Sequence, residues 1–212
     1  MKTSSAIEAL ERLRAGNRRF VSDVLQYCST PTIHTRRSEL VSGQEPFAII
    51  LGCSDSRVPA EIIFDQGLGD LFVIRVAGNI VGPSQVGSVE FAAEHFGTQL
   101  VVVLGHSRCG AVSATIKELQ LSAECRSPNI CSIVDRIRPS VEALLDSKHQ
   151  PNPDTLLQQA VRSNIHASIN DLRQGSLILK ELIQNNKLIV VGAEYSVETG
   201  GVDFFEGLPK AS

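Results

Sequence analysis

The stretch Phe47-Ala-Ile-Ile-Leu-Gly-Cys-Ser-Asp-Ser-Arg57 decides the fold, because a continuous apolar run changes into a polar loop directly after Gly52. A short apolar run without polar alternation is typical of a strand that is buried on both faces, as in a parallel sheet. In open parallel sheets the loops at the carboxyl ends of the strands converge, and functional groups collect there. The stretch therefore predicts a buried strand that leads into a candidate site.

Working outward from this stretch, apolar runs of strand length alternate with helical patterns. Strands are predicted over residues 71–76, 100–104 and 188–191, and helices over residues 5–20, 86–96, 111–121, 133–145, 155–172 and 176–185. Such alternation indicates βαβ units and a mostly parallel sheet that is covered by helices. Near the end, Gly200-Gly201 separates two strand-like pieces within residues 195–206, which predicts a small hairpin or an antiparallel edge.

These elements predict an α/β fold, in which a central, mostly parallel β-sheet is flanked by helices. A helical arm at the N-terminus and an edge hairpin at the C-terminus complete the prediction. We expect residues 1–212 to form a single domain, with residues 1–45 as the arm, because no repeat, low-complexity segment or linker marks a second one. Within that arm, residues 22–45 are polar and are predicted to be irregular.

Composition and charge exclude several classes of function. The 212 residues are 42% hydrophobic and carry a formal net charge of −3, without a run of Lys and Arg, so we expect no nucleic-acid partner. The apolar runs are far shorter than a membrane span, and charged residues interrupt the N-terminal segment where a signal peptide would need an apolar stretch. These features predict a cytoplasmic protein with no membrane partner.

Two segments carry residues that are suited to chemistry, and each follows a predicted buried strand. They are Cys53-Ser-Asp-Ser-Arg57 and His106-Ser-Arg-Cys109. Zinc favours thiolate and imidazole ligands, which Cys53, His106 and Cys109 could supply. The fourth ligand could be water, which would make the site catalytic, or the carboxylate of Asp55.

Each segment by itself is a weak signal, and a buried Cys beside a polar loop residue is the more common explanation of either one. The two together are stronger, because each stands at the exit of a buried strand. A purely structural zinc site would more usually combine two CxxC-like halves, and the chain has no such second half. Cys28, Cys125 and Cys131 lie outside ligand spacing and are interpreted as ordinary thiols.

Asp55 and Arg57 are two residues apart, so a tight turn would let the guanidinium bind the carboxylate through two hydrogen bonds. In the simpler interpretation, this is a loop salt bridge that adds little. In the other, it is a switch: Arg57 either holds Asp55 away from the metal or releases it to bind there. The switch predicts that activity depends on pH.

At these segments the chain resembles the β-carbonic anhydrase family. The closest matches are Cys53-Ser-Asp-Ser-Arg-Val58 and Gly105-His-Ser-Arg-Cys-Gly110. Flanking pieces such as Arg75-Val-Ala-Gly-Asn79 and Gly87-Ser-Val-Glu-Phe91 also match, and the resemblance covers nearly the whole chain.

The resemblance implies Zn²⁺ on Cys53, His106 and Cys109, with Asp55 and Arg57 as a catalytic dyad that gates the fourth position of the metal. Asp55 itself would bind zinc in a closed state. The implied reaction is the reversible hydration of carbon dioxide to bicarbonate and a proton, through attack by zinc-bound hydroxide. A homodimer or homotetramer is also implied. The substrate-binding positions that the resemblance assigns are Gln44, Phe72, Ala77 and Phe91.

A subgroup of the family binds bicarbonate in a second, inhibitory pocket built from a Trp, an Arg and a Tyr. Arg75 and Tyr195 match that pattern, but Ile50 stands where the Trp would be. We therefore expect a site that stays open, or one that binds inhibitory bicarbonate only weakly.

Two other functions remain open from the sequence. One is hydrolysis of carbon disulfide or carbonyl sulfide on the same scaffold, and the other is a zinc-stabilised binding or sensor module without activity. A nucleotide-binding site is disfavoured, because neither a GxGxxG nor a Walker sequence follows the first strand. A zinc deaminase is disfavoured too, because its HxE and PCxxC segments are missing.

Overall fold

A five-stranded sheet forms the centre of the protein. The computed structural model describes residues 4–26, 33–121, 127–146 and 152–209. The strands are β1 (Ala48–Gly52), β2 (Leu71–Arg75), β3 (Leu100–His106), β4 (Ile189–Tyr195) and β5 (Val202–Glu206). They lie in the order β2-β1-β3-β4-β5, with β1 to β4 parallel and β5 antiparallel to β4. The predicted α/β class and the C-terminal hairpin are therefore confirmed.

Eight α-helices surround or connect the strands within the described part of the chain. Their bounds are α1 (Ala6–Val21), α2 (Ile33–Glu39), α3 (Ala60–Ile63), α4 (Pro83–His95), α5 (Gly110–Leu121), α6 (Pro128–Leu145), α7 (Pro153–Gln174) and α8 (Leu177–Gln184). Short 3₁₀ turns occupy Leu40–Ser42 and Ala77–Asn79. No helix that the structure describes combines the length and the apolar character needed to cross a membrane.

The central strands are apolar on both faces because each face of the sheet packs against helices. On β1, Ile49 and Leu51 belong to a cluster that includes residues of helices α4 to α8, while Ala48 and Ile50 belong to a second cluster with α1 and α3. All five residues of β1 and all seven of β3 are buried. Burial on both faces explains why these strands show no polar alternation in the sequence.

The prediction that residues 22–45 are irregular was partly wrong. It contains α2 and the 3₁₀ turn Leu40–Ser42. Neither element is longer than seven residues, and so short an element leaves little periodicity in the sequence. Helix ends also differ from prediction, since α6 begins at Pro128 behind a Ser127 cap rather than at residue 133.

The register of the parallel strands positions the candidate site. Strands β1 and β3 are direct neighbours, and Gly52 lies beside Leu104. The residues that follow β1 therefore emerge next to those that end β3. This adjacency brings together the two segments that the sequence analysis singled out, although about fifty residues separate them.

Candidate metal centre

The ends of β1 and β3 bring three potential ligands to one point. Cys53 directly follows β1, His106 is the last residue of β3, and Cys109 stands just before α5. One ligand atom from each lies within 4.8 Å of the other two. The side chains are nearly inaccessible, with 5% exposure for Cys53, 0% for His106 and 1% for Cys109.

The chemistry of these donors suits a zinc ion. Zinc bonds of about 2.0–2.3 Å in a tetrahedral shell place ligand atoms roughly 3.3–3.8 Å apart, which small side-chain rotations would reach from the observed grouping. His106 Nδ1 lies 2.9 Å from the Ser107 carbonyl oxygen. If Nδ1 carries the hydrogen, it donates to that carbonyl and leaves the Nε2 lone pair directed elsewhere.

The second ring nitrogen, His106 Nε2, indicates whether the site suits a metal ion. Among the described residues His106 Nε2 has no hydrogen-bond partner, although it is buried. A buried polar atom without a partner costs about 1–3 kcal/mol, so such atoms are rare unless they bind something. A nitrogen so placed, beside two sulfurs, is what a metal ligand requires.

A hydrogen bond joins the side chains of Cys109 and Cys53. It is the main cause that lowers the pKa of Cys53 below its ordinary value. The same hydrogen bond, together with burial, raises the pKa of Cys109 far above its ordinary value. Backbone N–H groups of Asp55 and Gly78 also donate to the Cys53 sulfur, at 3.4 and 3.3 Å. A divalent cation would bind both groups as thiolates and displace their protons.

Asp55 and Arg57 form the bidentate pair that their spacing allows. Arg57 Nε lies 2.9 Å from Asp55 Oδ1, and Arg57 Nη2 lies 2.7 Å from Asp55 Oδ2. The Arg57 backbone N–H donates to the same carboxylate at 3.0 Å. The hydrogen bonds from the Arg57 side chain are the largest cause that holds the pKa of Asp55 well below its usual range. Asp55 Oδ2 is 3.9 Å from His106 Nε2, so the carboxylate borders the candidate metal position.

Arg75, at the end of β2, supports the loop that contains Asp55. Its guanidinium donates to the carbonyl oxygens of Cys53 at 3.1 Å and Asp55 at 2.7 Å. Of the other residues compared with the inhibitory pocket, Ile50 is fully buried in the core and Tyr195 packs near Phe20.

The residues assigned to substrate binding lie in three places. Ala77 begins the turn that presents the Gly78 N–H to Cys53. Phe72 and Phe91 have ring centroids 6.2 Å apart, in a cluster with Phe96, and Phe91 is 51% exposed. Gln44 is exposed and lines a separate cleft of about 540 Å³.

One expectation about the remaining cysteines was wrong. Cys131 is disulfide-bonded rather than a plain thiol. Cys28 and Cys125 lie outside the described residues. Sequence spacing could not reveal the bond, because a disulfide depends on the three-dimensional geometry of its two cysteines.

Other residues support the loops of the candidate metal centre from a distance and could not be recognised in the sequence. Glu198 of the β4–β5 turn accepts hydrogen bonds from Ser107 and Arg108. Asn164 of α7 donates to the Gly78 carbonyl oxygen. Each partner is more than eighty residues away in the chain, so no local motif signals the contact.

Fold and site together define a class: parallel α/β proteins in which two adjacent strand ends supply a Cys₂His candidate metal centre. The family model described as carbonic anhydrase matches residues 48–202. A carbonic anhydrase 2 of Mycobacterium tuberculosis is 36% identical over 200 residues, covering 94% of this chain and 93% of that protein. The chain therefore belongs to the β-carbonic anhydrase family.

Solved structures agree with this assignment. The β-carbonic anhydrase CcaA superposes with a TM-score of 0.74 at 26% identity, over 95% of this chain and 93% of that one. The β-carbonic anhydrase CafA of Aspergillus fumigatus gives a TM-score of 0.73 at 26% identity, over 92% and 89% of the two chains.

Proposed function

We propose that the protein catalyses the zinc-dependent, reversible hydration of carbon dioxide to bicarbonate and a proton. One observation carries the proposal: the buried Cys53, His106 and Cys109 donors converge, with the Asp55 carboxylate held beside them. In this proposal the three residues hold Zn²⁺. The ion would act as a Lewis acid that lowers the pKa of a bound water to about 7.

The roles of the dyad follow from its charges. Asp55 is ionised, so it can only accept hydrogen bonds, and in this proposal its Oδ2 would accept one from the reacting water and orient it. Arg57 holds that carboxylate through two parallel hydrogen bonds and thereby keeps it from binding the metal. We propose that loss of this pairing would let Asp55 occupy the fourth position and stop the reaction.

The observed contacts of Asp55 support an open form of this gate. Arg57 donates hydrogen bonds to both carboxylate oxygens of Asp55, and Arg75 donates one to the backbone carbonyl oxygen of the same residue. Ile50 is wholly buried in the core and offers no flat wall for a second bicarbonate. These contacts support the hypothesis that the site stays open or is only weakly inhibited by bicarbonate.

We propose Phe72, Ala77 and Phe91 as the apolar side of the substrate pocket, since carbon dioxide is uncharged and forms only weak hydrogen bonds. Gln44 would then come from a second copy of the chain, because within one chain it lines a different cleft. The 51% exposure of Phe91 and the 86% exposure of Val41 are consistent with apolar surface that a homodimer or homotetramer would cover.

Zinc analysis combined with stopped-flow hydration of carbon dioxide tests the proposal. Wild-type protein should contain one zinc per chain and should be active, whereas Cys109→Ser should lose both properties. Thr115→Ser, which changes a buried residue of α5 outside both motifs and keeps its hydroxyl, is the matched control and should retain both.

A wild-type protein without stoichiometric zinc would refute the proposal. Faster release of sulfide from carbon disulfide or carbonyl sulfide than hydration of carbon dioxide would instead favour the related hydrolase.

A further inference from the structure

We propose that Asn164 is a positioning residue for Cys53. From helix α7 it holds the turn whose Gly78 N–H binds the Cys53 sulfur, and so it determines how well that sulfur binds the metal. This inference rests on the proposed function, in which Cys53 is a metal ligand.

The turn needs support because its backbone is unusual. Gly78 has φ +69° and Asn79 has φ +45°, so two consecutive residues adopt the left-handed conformation. Asparagine tolerates this conformation better than most residues other than glycine, and surrounding contacts help it to persist. A side chain at position 78 would also be crowded, because its Cβ would lie 2.7 Å from Ile137 Cδ1 and 3.2 Å from Ala111 Cβ.

Asn164 provides one contact that stabilises the turn. Its Nδ2 donates to the Gly78 carbonyl oxygen at 2.7 Å, and the residue is 1% exposed. Its neighbours on the buried face of α7, Val161 and Ile165, are apolar core residues. An amide in such a place is costly to bury unless it is hydrogen-bonded, so its contact with the turn accounts for a polar residue here.

The contact continues from the turn to the sulfur. Gly78 donates its own N–H to Cys53 Sγ at 3.3 Å, while Asn164 fixes the carbonyl of the same residue. A hydrogen bond to a thiolate stabilises its negative charge and directs its lone pairs. Partners that orient a metal ligand in this way typically change metal affinity or activity by about 10- to 100-fold when they are removed.

Helix α7 also offers a matched control. Ser168, one turn further along, is 2% exposed and donates to the Asn79 carbonyl oxygen at 2.9 Å. It supports the same turn with similar burial, but at the residue that does not bind the sulfur. Loss of the Ser168 hydroxyl should therefore reduce stability without changing Cys53.

The experiment compares Asn164→Leu, Asn164→Ser and Ser168→Ala with wild-type protein. Zinc affinity is measured by competition with a chelator, the thiolate-to-metal absorption band is recorded after cobalt substitution, and urea unfolding reports stability. The Asn164 variants should bind zinc about tenfold more weakly. The thiolate-to-cobalt absorption band of these variants should move to lower energy, because a thiolate that has lost a hydrogen bond from a backbone N–H transfers its electrons to the metal more easily. Ser168→Ala should leave both properties unchanged.

Unchanged zinc affinity and cobalt absorption in the Asn164 variants would overturn the inference. An equal loss in Ser168→Ala would overturn it too, because the effect would then be structural support alone. If Asn164→Leu does not fold, Asn164→Ser, with its smaller polar side chain, decides by the same two measurements. A wild-type protein that binds no zinc would refute the proposed function itself, and this inference with it.

Discussion

Glu198 accepts a hydrogen bond from the Ser107 hydroxyl at 2.6 Å, although the two residues are 91 positions apart in the chain. The same carboxylate accepts from Arg108 Nε at 2.5 Å. The Ser107 hydroxyl oxygen in turn accepts the Val197 N–H at 3.0 Å. The β4–β5 turn thus holds the loop between His106 and Cys109.

Glu198→Ala should therefore reduce carbon dioxide hydration. The loop would lose two of its contacts, and Arg108, whose carbonyl oxygen accepts from Arg57 Nη2 at 3.3 Å, would be less well placed. We expect a fall in kcat of about tenfold, in the range found when partners of metal ligands are removed. Stopped-flow assays on variants of equal zinc content measure it. Glu11→Ala, which breaks the exposed Arg14 pair on α1, is the control and should be fully active.

The Glu198 contacts should also weaken in acid. Hydrogen bonds from Ser107, the largest cause, and from Arg108 lower the pKa of Glu198 from its ordinary 4.5 to about 2. A carboxyl whose pKa is depressed by folding stabilises the folded state above its unfolded pKa, and the contribution is lost as the pH falls through the folded pKa. The difference in unfolding free energy between wild type and Glu198→Gln should therefore be constant above pH 4.5 and shrink from there towards pH 2. Urea unfolding at several pH values checks this, and a difference that grows on acidification would contradict it.

How much of this site could be predicted depends on how far apart in the sequence the contacting residues lie. Cys53, His106 and Cys109 could be proposed because the segments that contain them follow buried strands, and strand burial is visible in a local apolar run. That β1 and β3 are neighbours, which brings the candidate ligands together, is a property of the sheet order and not of either segment. Glu198 and Asn164 could not be predicted, because their partners are set by the packing of distant elements.

Asp55→Asn should lower hydration activity on the order of 100-fold, the usual effect of removing one positioned hydrogen-bonding group from an active site. The amide keeps the shape of the carboxylate but loses its charge, and Arg57 loses its bidentate partner. Because Arg57 holds the pKa of Asp55 well below its usual range, the carboxylate is ionised at neutral pH and the loss should be the same throughout that range. Stopped-flow rates at several pH values test this.

Arg57→Lys is the companion variant. Lysine keeps the positive charge but cannot form two parallel hydrogen bonds, so the loss should be smaller than in Asp55→Asn. Both variants should retain stoichiometric zinc, which separates an effect on the reaction from loss of the metal. Full activity in Asp55→Asn would contradict the role proposed for the carboxylate.

Removal of zinc should destabilise the protein measurably. A ligand that binds only the folded state at a hundredfold excess over its Kd stabilises that state by about 2.7 kcal/mol. Chelator-treated protein should regain this amount in urea unfolding when zinc is restored. Cys109→Ser should regain much less, and an equal gain would mean that the metal binds somewhere else.

Gly16 has a packing role that cannot be recognised from the sequence alone. Its low helix propensity predicts only that it weakens the end of α1. In the fold it is buried, and a Cβ at this position would lie 1.8 Å from the Phe64 carbonyl oxygen. Glycine is therefore required for the close approach of α1 to the end of α3.

Gly16→Ala should destabilise the protein by about 3 kcal/mol, at the upper end of the usual cost of overpacking, because the obstacle is backbone and cannot rotate away. Gly87→Ala is the matched control: it lies in α4, and among the described residues no atom outside its own helix backbone and chain neighbours lies within 4 Å of the added Cβ. Relief of the helix penalty of glycine should stabilise that variant by about 0.5–1 kcal/mol. Urea unfolding of both variants gives the comparison. If Gly16→Ala were as stable as wild type, α1 could not pack against Phe64 as closely as described, and its apolar residues Leu10 and Leu13 would lose the contact that buries them against the sheet.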